Sequence, residues 1–274
     1  MLANHFGRDL EQTVTTPLLV TGGTGTLGRL IVPRLVEAGR TVRVLSRTPH
    51  EPAGGVEYVA ADLRSDDADD AVAAAVDGVG AVLHLAGGPK GDGEATARLA
   101  RAAARAGVRH LVHISAIGAD RVPIAWFRMK LAAEEAVTGA GVPWTILRAA
   151  QFHDLVLKTA TAMAKSPVIP VPGVIRFQPV DARDVAARLT ELTLGEPAGL
   201  VADLAGPQVT PLRDLVRSYL TAAGKRRALL PVPLPGKVGR AYRDGANLTL
   251  DADLGTRSWE DFLAERLGQP SPAA

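Results

Sequence analysis

Hydrophobic and polar positions alternate in a regular way over the first half of the chain. Leu18, Leu19 and Val20 form a short apolar run that predicts a strand. Leu27, Leu30, Ile31, Leu35 and Val36 then recur at helical spacing. Residues 41–46 and 56–60 predict a second and a third strand, 81–86 a fourth, 109–115 a fifth and 144–148 a sixth. Between them, 66–76, 94–106 and 124–140 predict helices, the last two closed by Gly107 and Gly141. Strands that alternate with helices predict βαβ units. They build a doubly wound α/β fold, a parallel sheet covered on both faces with its ligand crevice at the carboxyl ends of the strands.

Beyond Ala150 the pattern loosens. Residues 154–164, 184–194, 211–222 and 258–267 predict helices. Asp184 is expected to cap the second of these, Thr210 to start the third, and Ser258 with Asp261 to form a capping box at the fourth. The Pro- and Val-rich run 166–174 predicts a loop, 201–205 a strand and 229–235 an extended segment. The expected organisation is a loose extension over 1–16 and a sheet domain over 17–150. A smaller C-terminal α/β substrate lobe follows over 151–274, interleaved with the first domain and covering its crevice.

The turn after the first strand carries chemistry. Gly22-x-x-Gly25-x-x-Gly28 stands between an apolar run and an amphipathic helix. Glycines there allow a tight turn, a close approach of backbone to a pyrophosphate, and close packing of helix on strand. The helix start adds N–H groups and a positive dipole end. The spacing in this context predicts a dinucleotide site, the Rossmann arrangement. An NAD site usually carries an acidic residue about 20 residues beyond the turn, bonding a ribose hydroxyl. Here that place holds Ser46, Arg47 and Thr48. Arg47 can pair bidentately with a 2′-phosphate, so NADP(H) is favoured over NAD(H).

Composition removes alternatives. The chain of 274 residues has no cysteine, which excludes disulfides, thiolate metal sites and a Cys nucleophile. Its formal charge of +2 is small, its basic residues are scattered and its aromatics few, so neither a nucleic-acid nor a membrane partner is expected. No run is long enough for a membrane span, and the polar first residues lack a signal peptide's apolar core, which makes the cytoplasm the expected location. Histidines and carboxylates are dispersed, so no metal site is expected. The glycine turn lacks the Gly-Lys-Ser/Thr ending of a P-loop, and Gly-x-Ser-x-Gly is absent.

The turn Thr21-Gly22-Gly23-Thr24-Gly25-Thr26-Leu27-Gly28 is followed by Ser46-Arg47, Ala61-Asp62-Leu63 and Ala86-Gly87-Gly88. His113-Ile114-Ser115, Lys130 and the run from Gln178 to Ala186 come next, in this order. As a set, over about Leu18 to Leu267, they resemble the NmrA-like group of atypical short-chain dehydrogenase/reductases. The resemblance implies a nicotinamide-dinucleotide fold. It implies cofactor contacts from Gly22, Thr24, Gly25, Thr26, Leu27, Arg29, Ser46 and Arg47, with Arg29 reaching the 2′-phosphate side. Asp62 and Leu63 would meet the adenine, while Ala86, Gly87 and Gly88 leave space for a ribose. The loop Gln151, Phe152 and His153, with Phe177, would border the nicotinamide and substrate.

Short-chain dehydrogenases work with a Ser, a Tyr and a Lys, the last two four residues apart on one helix face. Ser115 and Lys130 match, but the place of the tyrosine holds Trp126. An indole N–H is a donor only and cannot act as general acid. Lys130 is left to hold a ribose or relay a proton. His153 is the spare acid/base candidate, since an unperturbed imidazole titrates near neutrality. His84 and His113 are expected in the core. The leading expectation is an NADPH-dependent reductase for a small conjugated or quinone-like acceptor. The alternative is an NADP(H)-binding sensor without turnover, whose lobe contacts a protein partner.

Overall fold

The computed structural model describes residues 16–88, 91–249 and 251–268. The expected extension over 1–16 therefore lies almost wholly outside the described residues. Two compact units emerge. Of the described residues, the first holds 16–88, 91–115, 129–147 and 186–201; the second holds 116–128, 148–185, 202–249 and 251–268.

In the first unit the apolar runs become strands β1 (Leu18–Thr21), β2 (Val42–Ser46), β3 (Val56–Ala60), β4 (Ala81–His84), β5 (His110–Ala116) and β6 (Trp144–Ala149), the last two ending in the second unit. Their order is β3-β2-β1-β4-β5-β6, and the pairs β1–β2, β1–β4, β2–β3 and β4–β5 are parallel. The order reverses at β1, which puts the switch point of the sheet beside the glycine turn. The helices α1 (Gly28–Glu37), α2 (Asp69–Val76) and α3 (Asp92–Arg105) come from the first crossovers. Helix α4 (Ala125–Thr138) crosses from the second unit into the first. On α1, Ile31 and Leu35 are fully buried, which pins the start of this helix to the sheet. A continuous core runs through Leu19, Val72, Val82, Leu99, Leu111 and Ile146. Both faces of a parallel sheet are covered, so its strands read as unbroken apolar runs.

In the second unit, α5 (His153–Met163), α7 (Leu212–Ala222) and α9 (Trp259–Leu267) share a core of Val156, Ala160, Leu215, Tyr219, Trp259 and Phe262. Helix α6 (Ala182–Leu194) begins here and ends in the first unit. Helix α8 (Gly236–Arg243) contributes Tyr242 to a small cluster with Phe127 and Val122. The capping box at Ser258 and Asp261 is present.

Four expectations are corrected here. The run 166–174 is not a loop: β7 (Val168–Pro172) pairs in parallel with β12 (Ala228–Val232). Ile169 and Val171 point into the core while Val168 and Pro170 are exposed, and an isolated two-stranded pair tolerates prolines at positions that need no N–H. Asp184 does not cap α6. Asp181 does, accepting the Arg183 N–H at 2.8 Å, while Asp184 accepts the Thr256 N–H at 2.9 Å. Thr210 does not start α7; it pairs with Phe177 as β11 (Thr210–Pro211) meets β8 (Arg176–Phe177). The single strand expected over 201–205 is two short ones, β9 (Gly199–Leu200) and β10 (Leu204–Ala205). Strand β10 pairs with Ala149 and with β13 (Asp253–Leu254).

Candidate cofactor site

The glycine turn is built as close packing demands. Gly22 has φ +71°, and a Cβ there would sit 2.8 Å from the Ala86 backbone nitrogen. At Gly28 a Cβ would lie 2.4 Å from the backbone of Gly22 and Gly23, so helix α1 approaches the turn more closely than any side chain permits. Arg29 N–H donates to the Gly25 carbonyl at 3.1 Å, joining the turn to the first helical residues. The α1 start thus brings its positive dipole end to the turn.

Around this turn the first unit opens a cleft of about 390 Å³, within the range of small-molecule sites. The expected residues Gly22, Thr24, Gly25, Ser46, Arg47, Asp62, Leu63, Ala86, Gly87 and Gly88 all line it. Thr26 and Arg29 are exposed and Leu27 is buried; none of the three is in the cleft wall. The wall also contains Thr48, and Arg64 and Asp92, which motif reading missed. Asp62 accepts the Arg64 N–H at 3.0 Å and pairs with its guanidinium at 3.3 Å. The Arg64 hydrogen bonds, with Arg47 also nearby, hold the Asp62 carboxyl below its usual range. Two exposed arginines and one paired acid therefore make the rim beyond β2 and β3 net positive.

On the other side of β1 lies an ion pair. Lys130 Nζ reaches Asp92 Oδ2 at 2.7 Å, with the two side chains 12% and 7% exposed. Asp92 Oδ1 accepts the Gly88 N–H at 2.6 Å. Ser115, the next matching residue, is buried at the end of β5, and its Oγ has no hydrogen-bond partner among the described residues.

Beneath the cleft runs a buried polar chain. Thr21 Oγ1 accepts the Ala86 N–H at 3.2 Å and stands 2.7 Å from His84 Nδ1. His84 Nε2 stands 2.9 Å from Thr96 Oγ1, so each ring nitrogen is paired with a threonine hydroxyl. His113 stacks on His84 with ring centres 5.1 Å apart. Burial, then the Lys130 charge, pushes His84 down to about 4, with Asp92 opposing in part. Burial, then His84 and Lys130, holds His113 well below its ordinary value. Both rings are core, as the sequence implied.

These neutral histidines make stability depend on pH. The unfolded chain takes up their protons below about 6.5, while the fold refuses them. Stability is thus present above that pH and is lost as pH falls towards 4, the folded value of His84. One imidazole over this span is worth about 3 kcal/mol. Thermal unfolding followed between about pH 7 and 4.5 is expected to show a falling midpoint. His84→Asn is expected to make that dependence shallower, with His113 and His153 still contributing. A midpoint indifferent to pH would contradict the buried neutral pair.

The remaining expected residues lie in the second unit. Trp126, 37% exposed, stands edge-on to Phe127 with ring centres 4.9 Å apart. Gln151, Phe152 and Phe177 are half-buried, Phe152 just before α5 and Phe177 against the second unit's core. His153 is fully buried, with Nε2 3.0 Å from the Pro179 carbonyl and its ring packed on Trp259 and Phe262. Burial lowers its pKa, against the opposing charge of Asp181. It is a core histidine, which corrects the expectation of a loop acid/base.

Strand order, glycine turn and cleft together define a dinucleotide-binding α/β protein. A family model described as NAD(P)H-binding matches residues 22–192. The chain belongs to this NAD(P)H-binding family, within the NmrA-like group of atypical short-chain dehydrogenase/reductases. It is 34% identical to a (4-alkanoyl-5-oxo-2,5-dihydrofuran-3-yl)methyl phosphate reductase of Streptomyces griseus, over 76% of this chain and 74% of that one. It is 30% identical to an NAD(P)H azoreductase of Xenophilus azovorans, with the same two coverages. Among solved structures, an Escherichia coli NADPH-dependent quinone oxidoreductase complexed with NADPH has the same fold. The TM-score is 0.70 at 19% identity, covering 93% of this chain and 96% of that one. Both sequence relatives are named reductases, which supports an oxidoreductase role for this chain. No helix among the described residues is long and apolar enough to cross a membrane.

Proposed function

We propose that the protein is an NADPH-dependent reductase that passes hydride to a small conjugated or quinone-like acceptor. The observation that carries this reading is the cleft itself, a glycine cradle with an arginine rim where an NAD site would carry an unpaired acid. The glycine turn fits the group: at Gly22 and Gly28 a Cβ would fill the space that the turn and its neighbours occupy. The turn and the α1 start receive the pyrophosphate, and Arg47 pairs with the 2′-phosphate. Bound there, the nicotinamide supplies the hydride. Lys130 stays at the Gly87–Gly88 turn to hold a ribose. The substrate for which the Streptomyces griseus relative is named supports the acceptor class, since that name describes a ring double bond beside carbonyl groups.

The direct test is NADPH consumption across a panel of quinones, enones, azo compounds and aldehydes. Turnover with the conjugated members is expected. NADPH binding with no turnover on any of them favours the second reading, a cofactor-bound sensor, for which Trp126 in the place of the phenol speaks.

Arg47 supplies the cofactor preference. A bidentate contact to a charged group is worth roughly 1.5–3 kcal/mol, or about ten- to a hundredfold in affinity. Calorimetric titration is expected to show tighter binding of NADPH than of NADH, and Arg47→Ala to bring the two together. Equal affinities in the unaltered protein would remove the argument.

A further inference from the structure

We infer that Asp92 belongs to the cofactor site: it fixes the Lys130 ammonium at the Gly87–Gly88 turn and accepts a hydroxyl of the nicotinamide-side ribose. This rests on the NADPH reading above.

Three observations point to Asp92. Its two oxygens are already divided between two elements, Oδ2 on Lys130 at 2.7 Å and Oδ1 on the Gly88 N–H at 2.6 Å. The pair also stands directly behind Gly87, where a Cβ would lie 2.9 Å from Lys130 Nζ and 3.3 Å from Asp92 Oδ2. Asp92 is itself part of the cleft wall, although only 6% exposed. A buried carboxylate in a wall that receives a phosphate-rich ligand is costly unless a cation neutralises it, and Lys130 does so.

The chemistry of the oxygen selects the ligand group. An ionised carboxylate only accepts hydrogen bonds and has about four lone-pair sites. Two are used here, so the remaining ones suit a hydroxyl donor and repel a phosphate. The sheet selects which hydroxyl. Strand β4, which leads to Gly87 and Gly88, flanks β1 on the side opposite β2. The arginine rim that suits the 2′-phosphate follows β2 and β3, so a dinucleotide lying across β1 brings its other ribose to the β4 side. Asp92 is then a positioning residue for Lys130 and a binding residue for the ribose.

The test compares two probes by calorimetry, NADPH and adenosine 2′,5′-bisphosphate, which lacks the nicotinamide half. Removing an anion from the wall favours any phosphate-bearing probe, so the ratio of the two affinities isolates the hydroxyl contact. Asp92→Asn is expected to weaken NADPH about tenfold or more relative to the bisphosphate. A merely structural role would weaken both alike. Asp92→Asn/Lys130→Met, which leaves no unpaired charge, covers the event that the single variant does not fold. It is expected to show the same shift in the ratio, and no more than Asp92→Asn or Lys130→Met alone, since the two residues act as one unit. An unchanged ratio in a folded variant overturns the inference, as does equal weakening of both probes. If the unaltered protein binds neither probe, the cofactor reading itself fails.

Discussion

Gly28→Ala is expected to cost the protein about a hundredfold in NADPH affinity together with part of its stability. The added methyl carbon would lie 2.4 Å from the Gly22 oxygen and from the Gly23 Cα and carbonyl carbon. These are backbone atoms of the turn that shapes the cleft, so no flexible side chain can give way. Helix α1 cannot simply retreat either, because Ile31 and Leu35 hold it in the core with no exposed surface. The strain must be shared between the turn and the helix. Overpacking of this kind costs typically about 1–3 kcal/mol, a fall in Tm of roughly 2–12 °C for a chain of this size. A displacement near 1 Å in a positioning element costs on the order of 10²-fold in function. Differential scanning calorimetry and NADPH titration measure the two effects. Gly173→Ala is the control, since nothing lies within 4 Å of its Cβ position. Wild-type affinity and Tm in Gly28→Ala would show that the turn does not seat the nucleotide.

NADP⁺-dependent oxidation of simple secondary alcohols is expected to be slower by about 10²–10⁴-fold than in an enzyme with a positioned general acid–base. The residue four places before Lys130 in α4 is Trp126, and its neighbours Phe127, Arg128 and Met129 bring no phenol. The indole N–H donates but does not titrate, so it can orient an oxygen without taking its proton. Lys130 is engaged with Asp92, and His153 is enclosed beside Trp259 and Phe262. Reduction of quinones and enones escapes this limit, because their reduced oxyanions are stable enough to collect a proton from water. Steady-state assays with a series of alcohols and quinones test the contrast. Trp126→Tyr is expected to restore some carbonyl reduction. Robust alcohol oxidation by the unaltered protein would overturn the account.

What could be read from the chain beforehand was local in origin. The strand over 56–60 emerged with those bounds, because one apolar run between turns suffices to mark it. The glycine turn was legible because strand, spacing and helix all lie within about a dozen residues of one another. The Ser258 and Asp261 capping box was legible for the same reason. Where local signals conflicted, expectation failed. The prolines at 170 and 172 suggested a loop, yet the two-residue alternation of Ile169 and Val171 proved decisive once β12 supplied a partner. Helix α6 begins at Ala182, two residues before the expected start, so Asp181 stands at the cap and Asp184 inside the first turn, where it accepts the Thr256 N–H.

The sequence by itself determined the sheet domain, the dinucleotide turn and the arginine in place of an acid, since each is a statement about neighbours along the chain. Tertiary structure alone decided the rest. Asp92 and Lys130 are 38 positions apart, and no periodicity joins them; only the packing of α3 and α4 against the β4 turn makes them a pair. No motif marks Arg64; it joins Arg47 only as part of the cleft wall. His153 looked like a loop base until α5 enclosed it among aromatic rings, where the cost of burying a charge keeps the imidazole neutral.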